Sequence, residues 1–369
     1  MGDLMTDQQV TIEALAITVA AKIPALLWGP PGSGKTATVT AIGKAMGVSV
    51  ETVIASIREP SDFSGLPFIV DNQVHFAPPK WAHRLFESKK GILFLDEIST
   101  AAPAVQAALL RVVFERVVGD LVLPEQISVI AAANPPNQAA DGWDLSGPLA
   151  NRFCHFNWNV TAQSFAEGLV AGWKEPSIPN LPSNWQNEHL TFTKGLVSGF
   201  INARPNLASL PPSDPARAGK AWPSPRTWDM ASRLLAAANS IDSSDEVKDV
   251  LVQSAVGQGP GLEFLSWVAE MDLPNPEEIL NDPTNFLLPS RPDRAYAILA
   301  SVAAAVASDP TPLRWKAGWQ VLAKAGDSAP DIAAMAARIL ARCRPPGAIP
   351  PSEVKAFIPL LKQAGLLAP

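Results

Sequence analysis

Cysteine, histidine and charge are all scarce in this sequence. Only Cys154 and Cys343 occur, far apart and outside any metal-ligand spacing. That excludes a disulfide framework or a cysteine zinc site and points to a reducing, cytoplasmic setting. The four histidines, His75, His83, His155 and His189, form no H-x-x-x-H pair, so each is read as structural. No apolar run reaches the length of a membrane span, and the N-terminal MGDLMTDQQV carries an acid where a signal peptide carries basic residues. Basic excess is missing as well. A net charge of −6 and a pI near 5.3 argue against a general nucleic-acid binder.

What the chain does have is apolar surface and proline. With 369 residues, 47% hydrophobic and 17% charged, it is long enough for two or three globular domains with real cores. Its 36 prolines are about twice the usual share. They gather in loops (Pro176–Pro182, Pro205–Pro225, Pro345–Pro351) that separate short helices. Over the first 160 residues, strand-like runs at Ala25–Trp28, Val50–Ala55, Ile92–Leu95, Ile127–Ala132 and Cys154–Trp158 alternate with helical segments at Thr36–Met46, Trp81–Glu87 and Pro103–Phe114. This alternation predicts an α/β fold with a parallel sheet covered by helices on both faces. Beyond Trp158 the spacing is helical throughout, and the proline-rich stretch Asp272–Ser290 is the natural boundary within that part.

Two segments carry chemistry. The first is GPPGSGKT, a G-x-x-x-x-G-K-T pattern that follows a strand and opens a helix. Gly29, Pro30, Pro31, Gly32, Ser33, Gly34, Lys35, Thr36 and the following Ala37 form an expected ATP site, in which backbone N–H groups and the helix N-terminus meet the phosphates. Lys35 is expected to reach the β- and γ-phosphates, and the Thr36 hydroxyl to ligate Mg²⁺. The second is GILFLDEI, Gly91–Ile98, an apolar run ending in two acids, as a buried central strand would. Asp96 is expected to hold Mg²⁺ through water, and Glu97 to polarise the attacking water as general base.

The order of these two segments, then ISVIAAANPP, then LANRF, resembles an AAA+ ATPase. The resemblance implies that Asn134 is the sensor-1 residue orienting the lytic water. It also implies that Arg152 is an arginine finger reaching the next subunit's site, which requires a homo-oligomeric ring, hexameric in that family. A turn at Asn134-Pro135 and a plain surface arginine at 152 are the simpler readings. Three further stretches resemble the MoxR-like branch of the dynein-related subfamily. REPSDFSGLPFIVDNQVHFAPPKWAHRL looks like a hairpin inserted in helix 2, turning at Asp71-Asn72. QAALLRVVFERVVGDLVLPEQISVIAAANP looks like a second hairpin before sensor 1, turning at Gly119-Asp120. AWPSPRTWDMASRL looks like the sensor-2 helix of a lid, with Arg226 approaching the γ-phosphate from it.

The implied architecture is a five-stranded AAA+ core over 1–160, an all-α lid over 161–279 and a C-terminal helical extension over 280–369, to which no pattern attaches a role. The implied activity is Mg-ATP hydrolysis that remodels or activates a partner protein, in this branch often one with a von Willebrand factor A domain. Phe68, Phe76, Lys80 and Trp81 of the first hairpin and Val118–Leu121 of the second are the candidate target contacts, although Trp81 reads first as a core residue. A nucleic-acid motor and a non-hydrolysing structural ring are the alternatives. The apolar and acidic hairpins argue against the motor, and the full set of Lys35, Thr36, Asp96, Glu97, Asn134, Arg152 and Arg226 argues against the scaffold.

Overall fold

Five short strands form one all-parallel sheet in the computed structural model, which describes residues 7–135, 143–271, 273–326 and 330–366. They are β1 (Ala25–Trp28), β2 (Ser49–Ile54), β5 (Gly91–Asp96), β8 (Ile127–Ala133) and β9 (Cys154–Asn157), in the order β2-β5-β8-β1-β9. The two other pairs are antiparallel hairpins, β3 (Leu66–Val70) with β4 (Gln73–Ala77), and β6 (Val117–Val118) with β7 (Leu121–Val122). Burial follows position in the sheet. The inner strands β1 and β8 are buried at every residue and β5 at all but Asp96, whereas edge strand β2 alternates with exposed residues. Continuous apolar runs are what a strand needs when helices cover both faces.

Seven helices accompany these strands: α1 (Asp7–Ala20), α2 (Lys35–Ala45), α3 (Ser61–Ser64), α4 (Lys80–Ser88), α5 (Pro103–Glu115), α6 (Gly147–Ala150) and α7 (Ala162–Ala171). After them come α8 (Thr191–Ala203), α9 (Pro215–Ala218), α10 (Pro225–Asn239), α11 (Asp245–Val256), α12 (Gln258–Met271), α13 (Pro276–Asn281), α14 (Pro292–Ser308), α15 (Pro312–Gly326), α16 (Pro330–Arg342) and α17 (Ile358–Gln363). All five expected core strands and the helices between them are present, each within a residue or two of its expected limits. Helix α1 had no counterpart in the sequence reading. Val10, Ala14, Leu15, Ala16, Ile17, Thr18 and Val19 are all buried, so the helix lacks the polar face that gives a 3.6-residue period. Near the C-terminal end, where the spacing reads as helical, the helix is interrupted. A 3₁₀ stretch at Ser352–Phe357 precedes α17, because Pro359 has no N–H for the α-helical bond back to that turn.

The chain divides into two compact units that interleave in sequence. Asp272, where the expected boundary loop begins, lies outside the described residues. One unit, Met1–Leu181 with Ser209–Leu234 and Ile241–Gly261, contains the sheet. The other contains Pro182–Ala208, Leu235–Ser240 and Leu262–Pro369, and is helical. In it α14 packs between α8 and α16, and its core includes the edge-on pair Trp315 and Trp319, whose rings lie 6.1 Å apart. The Trp315 indole donates to Leu340 O at 2.7 Å, which satisfies a buried N–H. No helix among the described residues is long and apolar enough to cross a membrane.

Candidate functional site

The loop from Gly29 to Gly34 leaves the C-terminal end of β1 and runs straight into α2. Gly29 N–H donates to Ala133 O, continuing the sheet by one residue, and a Cβ at Gly29 would meet Trp158 O at 2.6 Å. Trp158 also donates its indole N–H to Ser33 O at 2.8 Å, bracing the loop from the strand next door. Gly32 and Gly34 have φ of 74° and 84°, with open space where a Cβ would project. Such a run of turned-in amides is a concave anion nest with room for a phosphate.

Lys35 is almost fully buried at the start of α2. Its ammonium donates to Gly29 O at 2.7 Å, Pro30 O at 2.9 Å and Asn134 Oδ1 at 3.0 Å. Burial lowers its pKa from the ordinary lysine value, while the nearby Asp96 and Glu97 carboxylates oppose that shift. Thr36 Oγ1 donates to Asp96 Oδ2 at 3.0 Å. This pair of hard oxygens fits Mg²⁺ as a donor set. Among the described residues no group of three or more histidines, cysteines and acids could hold a metal alone. A divalent ion here would therefore take part of its shell from phosphate oxygens and water, as Mg²⁺ does.

The strand that ends at Asp96 delivers Glu97 on a turn with φ 56°, left-handed for a residue with a Cβ, so this backbone is strained by about 1 kcal/mol or more. Its carboxylate takes a short hydrogen bond from Ser56 Oγ, on the one-turn segment that follows β2. Ser99, nearly fully buried, accepts from the backbone N–H of Asn134 at 3.2 Å and so fixes the end of β8 against the Glu97 turn. The sequence reading missed Ser56, Ser99 and Trp158. Serines carry no motif of their own, and only their position at strand ends could have marked them. Ser56→Ala is expected to free the Glu97 carboxylate and raise kcat by about tenfold, the lower end of the worth of one hydrogen bond to a charged group. KM should stay constant in steady-state ATPase assays, and an unchanged or lower kcat would refute the restraint.

Beside the loop, Trp28 Nε1 donates to His155 Nδ1 at 2.9 Å, and His155 Nε2–H donates to Ala150 O at 2.9 Å. Both ring nitrogens are engaged in the neutral form. Burial pushes the His155 pKa down to about 4, with the Lys220 ammonium, which sits over the Trp28 ring, adding to the shift. The unfolded chain therefore binds this proton more readily between about pH 4 and 6.5. Stability should be full above about pH 6.5, fall as pH drops from there to about 4, and change no further below that, the total from this group being about 3 kcal/mol. Chemical denaturation of His155→Gln across that range should show a flatter acid limb. A limb as steep as wild type would assign the acid sensitivity elsewhere.

The arginines lie at the other end of the sheet. Arg152 sits two residues before β9, whose first N–H, that of Cys154, donates to Pro24 O just ahead of β1. This is the N-terminal edge, about 10 Å of strand away from the phosphate loop. Arg152 donates to Pro148 O at 2.6 Å and lies over the Phe114 ring, 5.3 Å from its centroid. Arg226 lies over the same ring at 5.1 Å and donates to Asn151 Oδ1 at 3.4 Å. Its place is set by a reciprocal cap. Ser224 N–H donates to Thr227 Oγ1 and Thr227 N–H to Ser224 Oγ, with Pro225 opening α10. Arg226, expected at the γ-phosphate from a lid, thus stands beside Arg152 on the Phe114 ring.

The two hairpins also differ from expectation. On β3–β4, Leu66, Phe68, Ile69, Val70, Val74 and Phe76 are all exposed, around a turn with positive φ at Asp71 and Asn72. Pro67, paired with Phe76, leaves the outer edge without an N–H, so this ribbon offers side chains more than a strand-pairing edge. The second hairpin is not a free target contact. Val118 is fully buried, Gly119 N–H donates to Phe63 O, and Asp120 bonds Phe76 through both its N–H and its carboxylate. It buttresses the first. Lys80 is exposed, whereas Trp81 is buried against Phe63 and belongs to the core.

Residues 24–153 match the family model of the AAA domain, dynein-related subfamily. The match is to an AAA domain and is confined to that segment. Among solved structures, an ATPase by provisional assignment from Cytophaga hutchinsonii is 19% identical, with 68% of this chain and 84% of that one covered at a TM-score of 0.43. A full-length MCM homologue from Methanopyrus kandleri is 16% identical, covering 67% of this chain and 55% of its own at a TM-score of 0.40. A RuvB variant from Thermotoga maritima is 14% identical, covering 77% and 78% at a TM-score of 0.32. No curated protein sequence matches the chain.

Proposed function

We propose that this AAA+ domain hydrolyses Mg-ATP as a ring of identical subunits, of the MoxR-like type, and uses the cycle to remodel or activate a partner protein. The observation that carries the reading is the split of the chemical groups between the two ends of one sheet. Lys35, Thr36, Asp96, Glu97 and Asn134 gather at the C-terminal edge, and Arg152 and Arg226 at the N-terminal edge. A site that needs both sets is completed by a neighbouring copy.

In this reading the amides of Gly32 to Lys35 and the Lys35 ammonium hold the phosphates, and Thr36 and Asp96 hold Mg²⁺, with Pro30, Pro31, Ser33 and Ala37 shaping the loop. When bound, the ion neutralises phosphate charge and polarises the phosphoryl group. Glu97, released from Ser56, takes a proton from the attacking water that Asn134 orients. Arg152 of the neighbouring copy, with Arg226 beside it, meets the charge that develops on the transferred group. The exposed apolar β3–β4 ribbon supports contact with a protein target, and a target with a von Willebrand factor A domain is the one the resemblance suggests. The ribbon displays no lysine or arginine of its own, which disfavours a nucleic-acid motor.

The test is specific activity against protein concentration. ATPase per subunit should rise with concentration and level off as sedimenting species grow from monomer to ring. A flat rate with monomer throughout would remove the shared site. Stimulation by single- or double-stranded DNA would move the reading to the motor.

A further inference from the structure

Helix α7 is ten residues long, yet among them only Gly168 is buried. Phe165, Leu169 and Val170 are exposed by 50%, 67% and 90%, and Trp173, just past the helix, by 57%. A helix this short is marginal in water on its own, and its stability ordinarily comes from packing an apolar face. The cluster is nonetheless built. Gly172, with φ 81°, turns the chain back so that the Trp173 ring lies across Gly168 and meets the Phe165 ring at 6.1 Å. Four large apolar side chains exposed within nine residues, two of them in ring contact, mark an interaction surface instead of scattered exposure.

Its position says what covers it. Helix α7 is capped by Thr161, three residues after Trp158, whose indole bonds the phosphate loop. Past its far end, Glu175 pairs with Lys44 near the end of α2 at 2.8 Å. The patch thus begins at the nucleotide end of edge strand β9 and extends beside the helix that the loop opens. At the opposite edge the chain shows a different patch, the Phe114 ring, 59% exposed, with two guanidinium groups on it. Those two like charges repel, and burial with the Arg226 charge lowers the Arg152 pKa from its ordinary value. An anion brought to them would relieve both effects. A head-to-tail contact between identical chains needs two unlike patches, one at each end, and a ring follows when the rotation closes. Here the cationic patch complements the phosphate site next to the apolar one.

We propose that α7 and Trp173 form the docking surface for a second copy of this chain, which lays its Phe114 face there and so brings Arg152 and Arg226 to the phosphate loop. The inference rests on the shared-site reading above. The test is Leu169→Glu with Val170→Asp in the full chain, two exposed positions whose change should leave circular dichroism and the thermal midpoint as in wild type. Sedimentation velocity with ATP in the Glu97→Gln background should show assembly needing at least tenfold more protein. In the Glu97-containing chain, ATPase per subunit should fall at least tenfold at the concentration where wild type is assembled. Titration with a fluorescent ATP analogue should give wild-type affinity. Assembly at the wild-type concentration overturns the proposal, whether α7 then proves idle or proves to hold some other protein. If Arg152→Ala still abolishes shared activity in that case, the shared site stands without α7. If wild type stays monomeric with ATP at every concentration, both readings fall.

Discussion

Glu97→Gln should bind ATP with wild-type affinity and turn it over about 10²–10⁴-fold more slowly, the range for removal of a general base. The substitution keeps size and shape and removes the basicity. No hydrogen bond of the phosphate cradle is made to the Glu97 carboxylate. The Lys35 ammonium is held by Gly29 O, Pro30 O and Asn134 Oδ1, and the Thr36 hydroxyl by Asp96. The left-handed backbone at residue 97 is set by the turn that follows β5, and glutamine meets the same steric cost there as glutamate. The Ser56 hydroxyl can still donate, now to the amide oxygen. Lys35→Ala is the contrasting case, because it removes the buried ammonium from the phosphate loop and should reduce binding itself. Equilibrium binding and single-turnover hydrolysis separate the two variants. Rapid turnover by Glu97→Gln would mean that the proton leaves by another route, and Glu97 would lose its assigned role.

Why the surroundings of these carboxylates could be read from the sequence while those of Arg226 could not follows from how each is placed. Lys35, Thr36, Asp96 and Glu97 lie in contiguous segments whose local pattern fixes the geometry, a strand, a glycine turn and a helix, or an apolar strand ending in acid. The sheet order places Asp96 and Asn134 beside that loop with no further information. Arg226 depends on a long-range arrangement. It is positioned by the Ser224–Thr227 cap, by Asn151 and by an aromatic ring on α5, and no spacing in the sequence relates residue 226 to residue 114. The hairpins show the same limit. The family resemblance located both, but only the hydrogen bonds of Gly119 and Asp120 to the neighbouring segment reveal that the second lies against the first. Helix α1 was missed for the opposite reason, since the unbroken burial of Ala14 to Val19 erased the period in its second half.

Arg152→Ala should leave nucleotide binding nearly intact and lower hydrolysis by about 10³–10⁵-fold, the range for an arginine finger supplied in trans. Its guanidinium lies on the sheet edge opposite the loop, so binding has no contact to lose within the subunit. The stronger form of the prediction uses two dead enzymes. Arg152→Ala retains a competent Glu97, and Glu97→Gln retains a competent Arg152. Mixed and assembled with ATP, each Arg152→Ala subunit beside a Glu97→Gln neighbour should regain a complete site, and activity should reappear where neither protein has any. The same mixture with Arg226→Ala decides between its two positions. An Arg226 acting beside Arg152 from the neighbouring copy is rescued by Glu97→Gln subunits, whereas an Arg226 reaching its own γ-phosphate is not, because the subunit with the working base still lacks it. The shared Phe114 ring, 5.3 Å from one guanidinium and 5.1 Å from the other, favours rescue of both. Rescue of neither, in mixtures shown by sedimentation to contain both subunits, would place the whole site within one chain.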